Sequence, residues 1–311
     1  MLEEPILITG AHGMLGSALN RSLIAAGYKH SFIPSHKELD LEDYESVLEY
    51  FRKYQPKTIF HLASKVFGLQ GNADNQLDLF RSNTRINLNL IDACRDIQVD
   101  KIIAAGSVAA YSYPFKKLPL NEEDFWGGEP HIGEYAYSYS KRYLLVHLNL
   151  LKATHGTDFA FCLLTNLYGP NDKFNPISGH VIPSLLYKAI VASENRKPLY
   201  IWGDGEQVRD FMYMDDAARA MTIISEKYSG IINIGTNTGI ALREVADTLK
   251  YALGYPLKIV WQPEMPVGIP IRVVNNTRLI RLGFTPTITL EEGIKKTLEW
   301  VINNRGILRG F

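Results

Sequence analysis

The chain has 311 residues and a formal net charge of zero, with 33 basic and 33 acidic side chains. A balanced charge creates no field that favours nucleic acid or an anionic membrane, so we expect neither as a partner. The two cysteines, Cys94 and Cys162, lie in apolar segments, which indicates a reduced, cytoplasmic protein without a disulfide or a metal site. We expect no signal peptide and no membrane span, because no apolar stretch approaches about 18 residues.

The first half of the chain alternates short apolar strands with helices. Strands are predicted at residues 6–9, 31–34, 58–62, 101–105 and 158–164, and helices at 13–26, 42–54, 77–97 and around Tyr137. This alternation predicts an α/β fold, with a Rossmann-like, doubly wound parallel sheet between two layers of helices. Ligands of such sheets bind at the carboxyl ends of the strands.

The pattern loosens after about residue 170, where loops rich in Gly, Pro and Asn separate less regular pieces. It regains an amphipathic helical period only at residues 290–303. We therefore expect a dinucleotide-binding domain at residues 1–170 and a smaller C-terminal α/β lobe for the substrate at 171–311. The boundary is soft, because residues 210–240, and 231–234 in particular, are able to return to the main sheet.

A glycine-rich loop, GAHGMLG at residues 10–16, follows the first predicted strand and opens the first predicted helix. Its glycines permit a tight turn and a close approach of the backbone to a pyrophosphate, which the helix N-terminus attracts. The position of the loop predicts a dinucleotide site. Its predicted contacts are Gly10, His12, Gly13, Met14, Leu15 and Gly16.

The tip of the second strand bears on the choice between NAD and NADP. It offers Ser35, His36 and Lys37 before the first acid, Glu38. A hydroxyl and two basic side chains suit a 2′-phosphate, which favours NADPH/NADP+; the alternative is an ordinary exposed loop. Further cofactor contacts are predicted at Asp40, Leu41, Leu62, Ala63 and Ser64.

Tyr137 and Lys141 are spaced to lie on one face of a helix, where the ammonium group is expected to lower the pKa of the tyrosine. Chance supplies about one such pair in a chain with 17 tyrosines. A second pair, Tyr113 and Lys117, encloses a proline that argues against a helix. Ser107 ends the fourth predicted strand. Together with Tyr137 and Lys141 it is a candidate catalytic set, in which the serine orients a carbonyl, the tyrosine donates a proton and the lysine holds the ribose.

Three asparagines recur on the long helix predicted before this set: Asn83, Asn87 and Asn89. We expect Asn83 to help order the helix that carries Tyr137. The alternative is that the three residues form only a polar helix face.

Two longer motifs are more specific than the glycine loop. Residues 164–175 read LTNLYGPNDKFN and are followed by GHVIP at 179–183, while residues 201–211 read IWGDGEQVRDF. With the glycine loop and the catalytic set, they resemble the extended short-chain dehydrogenase/reductase family over nearly the full length. Within that family the chain is most similar to the GDP-L-fucose synthases, which are NADPH-dependent 3,5-epimerase/4-reductases of GDP-4-keto-6-deoxymannose.

The resemblance implies roles for further residues, a GDP-linked 4-keto sugar as substrate and a homodimer built on the two long helices. It implies His180 as a catalytic residue. The cofactor contacts that it implies are Lys141, Leu164, Asn166, Leu167 and His180. The substrate contacts are Ser107, Val108, Ala109, Asn166, Lys188, Trp202, Arg209 and Arg272.

The chain departs from the resembled family at the epimerase site. Fucose synthases carry a cysteine two residues after the active-site serine, and Ala109 occupies that position here. A methyl group cannot accept a proton, so His180 either acts alone or is only a polar contact. Val267 stands where the family usually has an aspartate, so the substrate pocket is expected to differ.

The sequence therefore predicts an NADPH-dependent C4-ketoreductase of a GDP-linked 4-keto sugar, either a 6-deoxy-hexose or a heptose, with epimerase activity lost or reduced. The alternatives are a bifunctional GDP-L-fucose synthase with a different epimerase base, and an NAD-dependent nucleotide-sugar 4-epimerase. A non-catalytic nucleotide-sensing regulator is disfavoured by the intact catalytic set. A dehydratase is disfavoured because Val108 and Ala109 replace the Asp-Glu pair that eliminates water.

Overall fold

In a computed structural model, which describes residue 2 and residues 4–66, 69–176 and 179–307, a central parallel sheet is flanked by helices. The strands are β1 (Ile6–Thr9), β2 (Ser31–Phe32), β3 (Thr58–His61), β4 (Lys101–Ser107), β5 (Asp158–Leu164), β6 (Asn166–Tyr168), β7 (Leu199–Trp202), β8 (Val208–Tyr213), β9 (Gly230–Ile234), β10 (Gly239–Ala241), β11 (Ile259–Gln262) and β12 (Ile271–Arg272). The helices are α1 (Met14–Ala25), α2 (Tyr44–Tyr54), α3 (Leu69–Asp74), α4 (Gln76–Asp96), α5 (Tyr135–His155), α6 (Val181–Glu194), α7 (Met214–Lys227), α8 (Leu242–Leu253), α9 (Thr277–Arg281) and α10 (Leu290–Asn303).

The central sheet has the strand order β2-β1-β3-β4-β5-β9, and all of its pairs are parallel. Every residue of β1 and β3 is buried, as a sheet covered on both faces requires. The strand order reverses between β1 and β3, because the chain leaves β1 for the edge strand β2 and then crosses back. A crevice at the carboxyl ends of β1 and β3 is the place where such a sheet binds ligands.

Local chemistry explains the boundaries of three elements. β5 and α10 have the bounds that the sequence predicts, and α10 begins at a capping box in which Thr289 and Glu292 exchange hydrogen bonds of 3.2 and 3.0 Å. α2 begins later than predicted because Asp43 caps it, accepting a hydrogen bond from the backbone of Glu45. β2 is shorter than predicted, since Pro34 has no N–H to donate to a neighbouring strand.

The chain enters a second layer directly after β5. β6 follows Thr165 and pairs in parallel with β8, which also pairs with β10 and β12. A separate parallel pair joins β7 to β11. The chain returns to the main sheet at β9, whose residues 230–234 pair with residues 160–164 of β5. Residues that follow position 170 in sequence thus also complete the central sheet.

Among the described residues, no helix has both the length and the apolar character that crossing a bilayer demands. Within the same residues, no group of three or more His, Cys, Asp or Glu side chains is arranged to hold a metal ion. Both cysteines are free and buried, Cys94 on α4 and Cys162 on β5.

Candidate active site

A cavity of about 800 Å³ lies at the carboxyl ends of the central strands. Gly10 lines it after β1, Ser107 at the end of β4 and Tyr137 in the first turn of α5. Arg209 on β8 and Arg272 on β12 line it from the second layer. The cavity therefore lies between the carboxyl ends of the central strands and the second layer, which contains β8 and β12.

The structure brings most of the predicted contacts to this one cavity. Those that line it are Gly10, Gly13, Met14, Leu15, Gly16, Leu62, Ser64, Ser107, Val108, Ala109, Tyr137, Lys141, Leu164, Asn166, Leu167, His180, Lys188, Trp202, Arg209 and Arg272. The predicted contacts outside its lining are His12, Ser35, His36, Lys37, Asp40, Leu41 and Ala63.

The glycine loop fits a dinucleotide pyrophosphate. Gly10 has φ +71°, a backbone conformation that glycine adopts at little cost. A Cβ on Gly16 would lie 2.3 Å from the carbonyl oxygen of Gly10, so only glycine allows α1 to pack this close to the turn. α1 has no acidic residue in its first turn, and its N-cap is Gly13. The N–H groups at the start of α1 are thus free of a competing negative charge.

The tip of β2 is held by local contacts. His12 Nε2 lies 3.1 Å from the carbonyl oxygen of Ile33, which ties the glycine loop to β2. The backbone and hydroxyl of Ser35 donate hydrogen bonds of 2.8 and 2.7 Å to Glu38, and His36 lies 3.8 Å from the carboxylate of Asp40. Two carboxylates therefore contact Ser35 and His36, two of the three residues that were predicted to meet a 2′-phosphate, and that contact with phosphate stays a prediction.

Ser107, Tyr137 and Lys141 meet on the cavity wall. The oxygen of Ser107 accepts a hydrogen bond of 3.1 Å from the backbone N–H of Ala109. Lys141 is almost fully buried and donates a hydrogen bond of 2.9 Å to the carbonyl oxygen of Ala105 on β4. Its ammonium nitrogen lies 5.6 Å from the ring centroid of Tyr137. The candidate catalytic set is thus assembled by β4 and α5.

The expectation that Lys141 lowers the pKa of Tyr137 is wrong for this structure. Burial raises the pKa of Tyr137 to about 12, although the nearby hydroxyls of Ser107 and Ser64 act in the opposite direction. Burial also lowers the pKa of Lys141 to about 8. The reason is that both groups are desolvated, while the ammonium is directed at a carbonyl oxygen. At neutral pH the tyrosine therefore keeps its proton, as a proton donor must.

Asn83 orders the loop after β3, and the expectation that it orders the helix of Tyr137 is wrong. Its side-chain oxygen accepts hydrogen bonds from Ser64 Oγ at 3.1 Å and from the backbone of Lys65 at 2.7 Å. Asn87, one turn further along α4, donates a hydrogen bond of 3.1 Å to the carbonyl of Ser140 on α5. The contact with the helix of Tyr137 and Lys141 is therefore made by Asn87.

A buried histidine connects this helix to the cofactor crevice. His61 Nδ1 lies 2.9 Å from Thr9 Oγ1 at the end of β1, and its Nε2 lies 3.1 Å from Asn87 Oδ1. Burial lowers the pKa of His61 to about 4, so the ring is neutral at pH 7. Sequence reasoning missed this network, although a histidine at the end of an apolar strand was visible.

His180 caps α6 and lines the cavity beside Asp172. Its Nδ1 lies 3.6 Å from a carboxylate oxygen of Asp172, whose side chain is 5% exposed. Desolvation works to lower the pKa of His180, but the hydrogen bond and charge of Asp172 outweigh it and the pKa is raised. In the sequence, Asp172 stands out only as part of the motif at residues 164–175, which does not predict its contact with His180.

The far end of the cavity is basic and aromatic. Lys188 Nζ lies 5.8 Å from the ring centroid of Trp202, whose indole is 39% exposed. Arg209 donates hydrogen bonds from Nη1 to the carbonyl oxygens of Val208 and Pro270, at 2.9 and 3.2 Å. Burial lowers the pKa of Arg209 to about 10 and also lowers that of Lys188. A guanidinium, an ammonium and an exposed ring face can bind phosphates and a base.

Comparison with known proteins agrees with this geometry. A family model described as the NAD dependent epimerase/dehydratase family matches residues 6–235. The chain belongs to this family. It is 30% identical to the GDP-L-fucose synthase of Escherichia coli (strain K12), and the alignment covers 100% of both chains. The resemblance to extended short-chain dehydrogenases/reductases and the Rossmann-like fold are thereby confirmed.

Solved structures extend the comparison to the fold of the whole chain. A GDP-L-fucose synthetase from Naegleria fowleri bound to NADP has a TM-score of 0.90 at 27% identity, covering 99% of this chain and 97% of that one. A GDP-6-OMe-4-keto-L-xylo-heptose reductase from C. jejuni has a TM-score of 0.90 at 26% identity, covering 96% and 97%. Proteins described as a synthetase and as a reductase therefore share this architecture.

Within this family fold, the cavity wall next to Ser107 has no thiol. Ala109 lines the cavity at that point. Cys94 and Cys162 lie outside the lining, and burial raises the pKa of both thiols. Among the described residues, the titratable side chains that line this cavity include His131, Glu134, Tyr137, Asp172 and His180.

Proposed function

We propose that the protein is an NADPH-dependent C4-ketoreductase of a GDP-linked 4-keto sugar, and that its 3,5-epimerase activity is lost or reduced. The oxidoreductase class and the NADP(H) cofactor are confirmed by the relatives, one of which was solved with NADP bound. The single observation that carries the reductase-only proposal is the methyl group of Ala109 on the cavity wall beside an intact Ser107 and Tyr137.

Residues 1–170 supply the cofactor side of the cavity in this proposal, and residues 171–311 supply most of the substrate side. We assign the dinucleotide to the glycines of the glycine loop, Leu62, Ser64 and Lys141, all of which line the cavity. Bound NADPH supplies a hydride to the C4 carbonyl carbon of the sugar.

The protein's own part in the reduction is proton transfer and orientation. Ser107 donates a hydrogen bond to the C4 carbonyl oxygen and so fixes the sugar against the cofactor. Tyr137 donates its proton to the same oxygen as the carbon accepts the hydride, which yields a hydroxyl group and leaves a phenolate. Lys141 stabilises that phenolate with its positive charge until the tyrosine is reprotonated from solvent.

The nucleotide end of the substrate is assigned to the basic end of the cavity. Arg209 and Arg272 face the diphosphate, because a guanidinium matches phosphate oxygens with two parallel donors. Lys188 adds a further positive charge, and Trp202 offers its exposed indole face to the base or the ribose. The sugar then lies between this end and Ser107, which fits either a 6-deoxy-hexose or a heptose.

Epimerisation at C3 and C5 needs a base and an acid on either side of the sugar ring. His180 is the remaining candidate, but the raised pKa of its imidazole favours the protonated form, which cannot accept a proton. A bifunctional synthase is the second candidate, because His180 and Asp172 still line the cavity.

Both free cysteines are buried, which supports the cytoplasmic location that we also propose.

A solvent-exchange experiment tests the proposal. The protein is incubated with NADPH and GDP-4-keto-6-deoxymannose in deuterated water, and the product is analysed by mass spectrometry and NMR. We expect NADPH oxidation and a product without enzyme-dependent deuterium at C3 and C5. A matched incubation without the protein gives the spontaneous exchange of the 4-keto sugar. Exchange above that background would establish the bifunctional synthase, and a failure to oxidise NADPH would contradict both candidates.

We also propose that the protein forms a homodimer through α4 and α5. These helices pack against each other and expose large apolar side chains: Leu77, Leu88, Val146 and Leu150. Leu150 is 57% exposed, which is costly for a side chain of this size in water. Light scattering is expected to give the mass of a dimer, and Leu150→Arg is expected to give a monomer. A monomeric wild-type protein would contradict the proposal.

A further inference from the structure

A buried carboxylate at the basic end of the cavity has no role in the reduction described above. Glu134 lies at the N-cap of α5 and lines the cavity, three residues before Tyr137. Its two oxygens accept hydrogen bonds from both terminal nitrogens of Arg272, at 2.7 and 3.2 Å. The exposed fractions of the Glu134 and Arg272 side chains are 15% and 9%. This is a bidentate pair in a largely buried setting.

The pair sits directly beside a second arginine. β12 and β8 run parallel with Arg272 opposite Arg209, so both side chains leave the sheet on the same face. Two guanidinium groups that are neighbours on a desolvated wall repel each other. Desolvation is the main cause of the lowered pKa of Arg209, and the charge of Arg272 lowers it further, while Glu134 opposes this shift.

The carboxylate remains charged despite its burial. Desolvation raises the pKa of Glu134, but the charge and hydrogen bonds of Arg272 outweigh it, and the pKa is lowered overall. At neutral pH the cluster of Glu134, Arg209 and Arg272 therefore carries one net positive charge. Lys188 lines the same cavity. Basic groups at this end of the cavity are opposite in sign to the two negative charges of a nucleoside diphosphate that is esterified to a sugar.

We propose that Glu134 is a positioning residue for the diphosphate of the substrate. It fixes the plane of the Arg272 guanidinium beside Arg209 before the nucleotide-sugar arrives, and it offsets the repulsion between the two arginines. The arginine pair is then preorganised, so less binding energy is used to order it. This inference rests on the proposed function, since it assigns the diphosphate to the arginine wall.

Binding of GDP, measured by calorimetry on the NADP+-loaded protein, tests the assignment. We expect Glu134→Gln to weaken GDP binding roughly tenfold, because a neutral amide cannot hold the guanidinium with two charged hydrogen bonds. Glu134→Asp is expected to recover part of the loss, since it keeps the charge. Glu129→Gln removes an exposed carboxylate outside the cavity lining and is expected to leave the affinity unchanged.

Steady-state kinetics separate positioning from a general loss of structure. For Glu134→Gln we expect the KM of the GDP-sugar to rise roughly tenfold, while the kcat and the KM of NADPH change by less than about threefold. A variant that is merely misfolded would lose NADPH binding as well. If Glu134→Gln leaves both the GDP affinity and the KM of the GDP-sugar unchanged, the role of Glu134 is overturned and the proposed function is unaffected. Failure of the wild-type protein to bind GDP would overturn the proposed function, and the role of Glu134 with it.

Discussion

The ammonium nitrogen of Lys141 lies 5.6 Å from the ring centroid of Tyr137, and its hydrogen bond goes to the carbonyl oxygen of Ala105. The lysine therefore lies beside the tyrosine without forming an ion pair with it. Both groups are buried, so the tyrosine favours its neutral form and the lysine loses its proton more readily than in water. This arrangement is suited to a tyrosine that donates a proton and becomes charged only during the reaction.

Replacing the tyrosine hydroxyl should remove the proton donor and little else. We expect Tyr137→Phe to lower kcat by about 100- to 10,000-fold, which is the usual contribution of a positioned acid or base. Binding of NADPH, followed by fluorescence titration, should stay close to that of the wild type, because the phenol ring is kept. Tyr143→Phe, on the same helix but outside the cavity lining, is the matched control. Equal activity of the Tyr137→Phe and wild-type proteins would refute the assignment.

The lowered pKa of Lys141 predicts an alkaline limit to activity. The amine is charged below its pKa of about 8 and neutral above it, so the cation that stabilises the phenolate is lost as the pH rises. The profile of kcat/KM, which reports the free enzyme, is expected to fall above pH 8. Tyr137 does not cause this fall, because its pKa of about 12 keeps it protonated in that range.

Two results would contradict this origin of the alkaline limit. One is a midpoint near the ordinary lysine value of 10.5 in the wild-type protein. The other is the same alkaline limb in Lys141→Met, which carries no titratable group at that position. Lys152→Met, on the exposed end of the same helix, is the control that should retain the wild-type profile.

The central sheet could be predicted from the sequence because the residue patterns that specify its strands are local. Apolar strands such as β5 and amphipathic helices such as α10 depend on neighbouring residues, and both elements were predicted with their observed bounds. Parallel sheets bind ligands at the carboxyl ends of their strands. This rule predicted that the residues at the ends of β1 and β4 line the cavity, as they do. The shortening of β2 at Pro34 shows that a local signal can also be overlooked.

The contacts that tune the site were not predictable in the same way, since they join residues far apart in the chain. Glu134 pairs with Arg272, and His61 meets Asn87, only after the strands and helices have packed. The direction of the pKa shift of Tyr137 depends on the balance between burial, which raises the pKa, and the hydroxyls of Ser107 and Ser64, which lower it. That balance exists only in the folded cavity. The four-residue spacing of Tyr137 and Lys141 therefore predicted that the two residues are neighbours, but not the direction of the pKa shift.

The neutral, buried imidazole of His61 predicts a stability that falls at acid pH. In the unfolded chain a histidine binds a proton below its ordinary pKa of 6.5, whereas the folded protein keeps His61 neutral down to about pH 4. Protonation therefore favours the unfolded state between these values, and the stability from this group is lost as the pH falls. The expected loss between pH 7.0 and about 4.5 is on the order of 2 to 3 kcal/mol.

Urea denaturation at the two pH values measures this contribution. We expect His61→Gln to be less stable than the wild type at pH 7.0, because the network to Thr9 and Asn87 is altered. Its decrease in unfolding free energy towards low pH should be smaller by about 2 to 3 kcal/mol. His30→Gln changes an exposed histidine and should retain the wild-type decrease. An identical decrease in His61→Gln and the wild type would show that the imidazole is not the titrating group.

Ala109 offers a gain-of-function prediction at the site where an epimerase thiol is absent. Ala109→Cys places a group with an ordinary pKa near ~8.5 on the cavity wall, two residues from Ser107. A fraction of thiolate can then remove the acidic protons next to the C4 carbonyl, with His180, which lines the same cavity, available as the acid. In deuterated water, exchange at C3 or C5 is expected to rise roughly tenfold over the wild type, within the usual contribution of a general base.

The serine variant separates proton transfer from a change of size. Ala109→Ser adds a polar atom at the same position, but a hydroxyl does not ionise near neutral pH and is a poor base. We therefore expect Ala109→Ser to exchange no more deuterium than the wild type, and both variants to keep oxidising NADPH. Equal exchange in the cysteine and serine variants would mean that the wall beside Ser107 no longer faces C3 and C5. The shape of the cavity would then be the cause of the lost epimerisation, and the missing thiol would be a consequence of that shape.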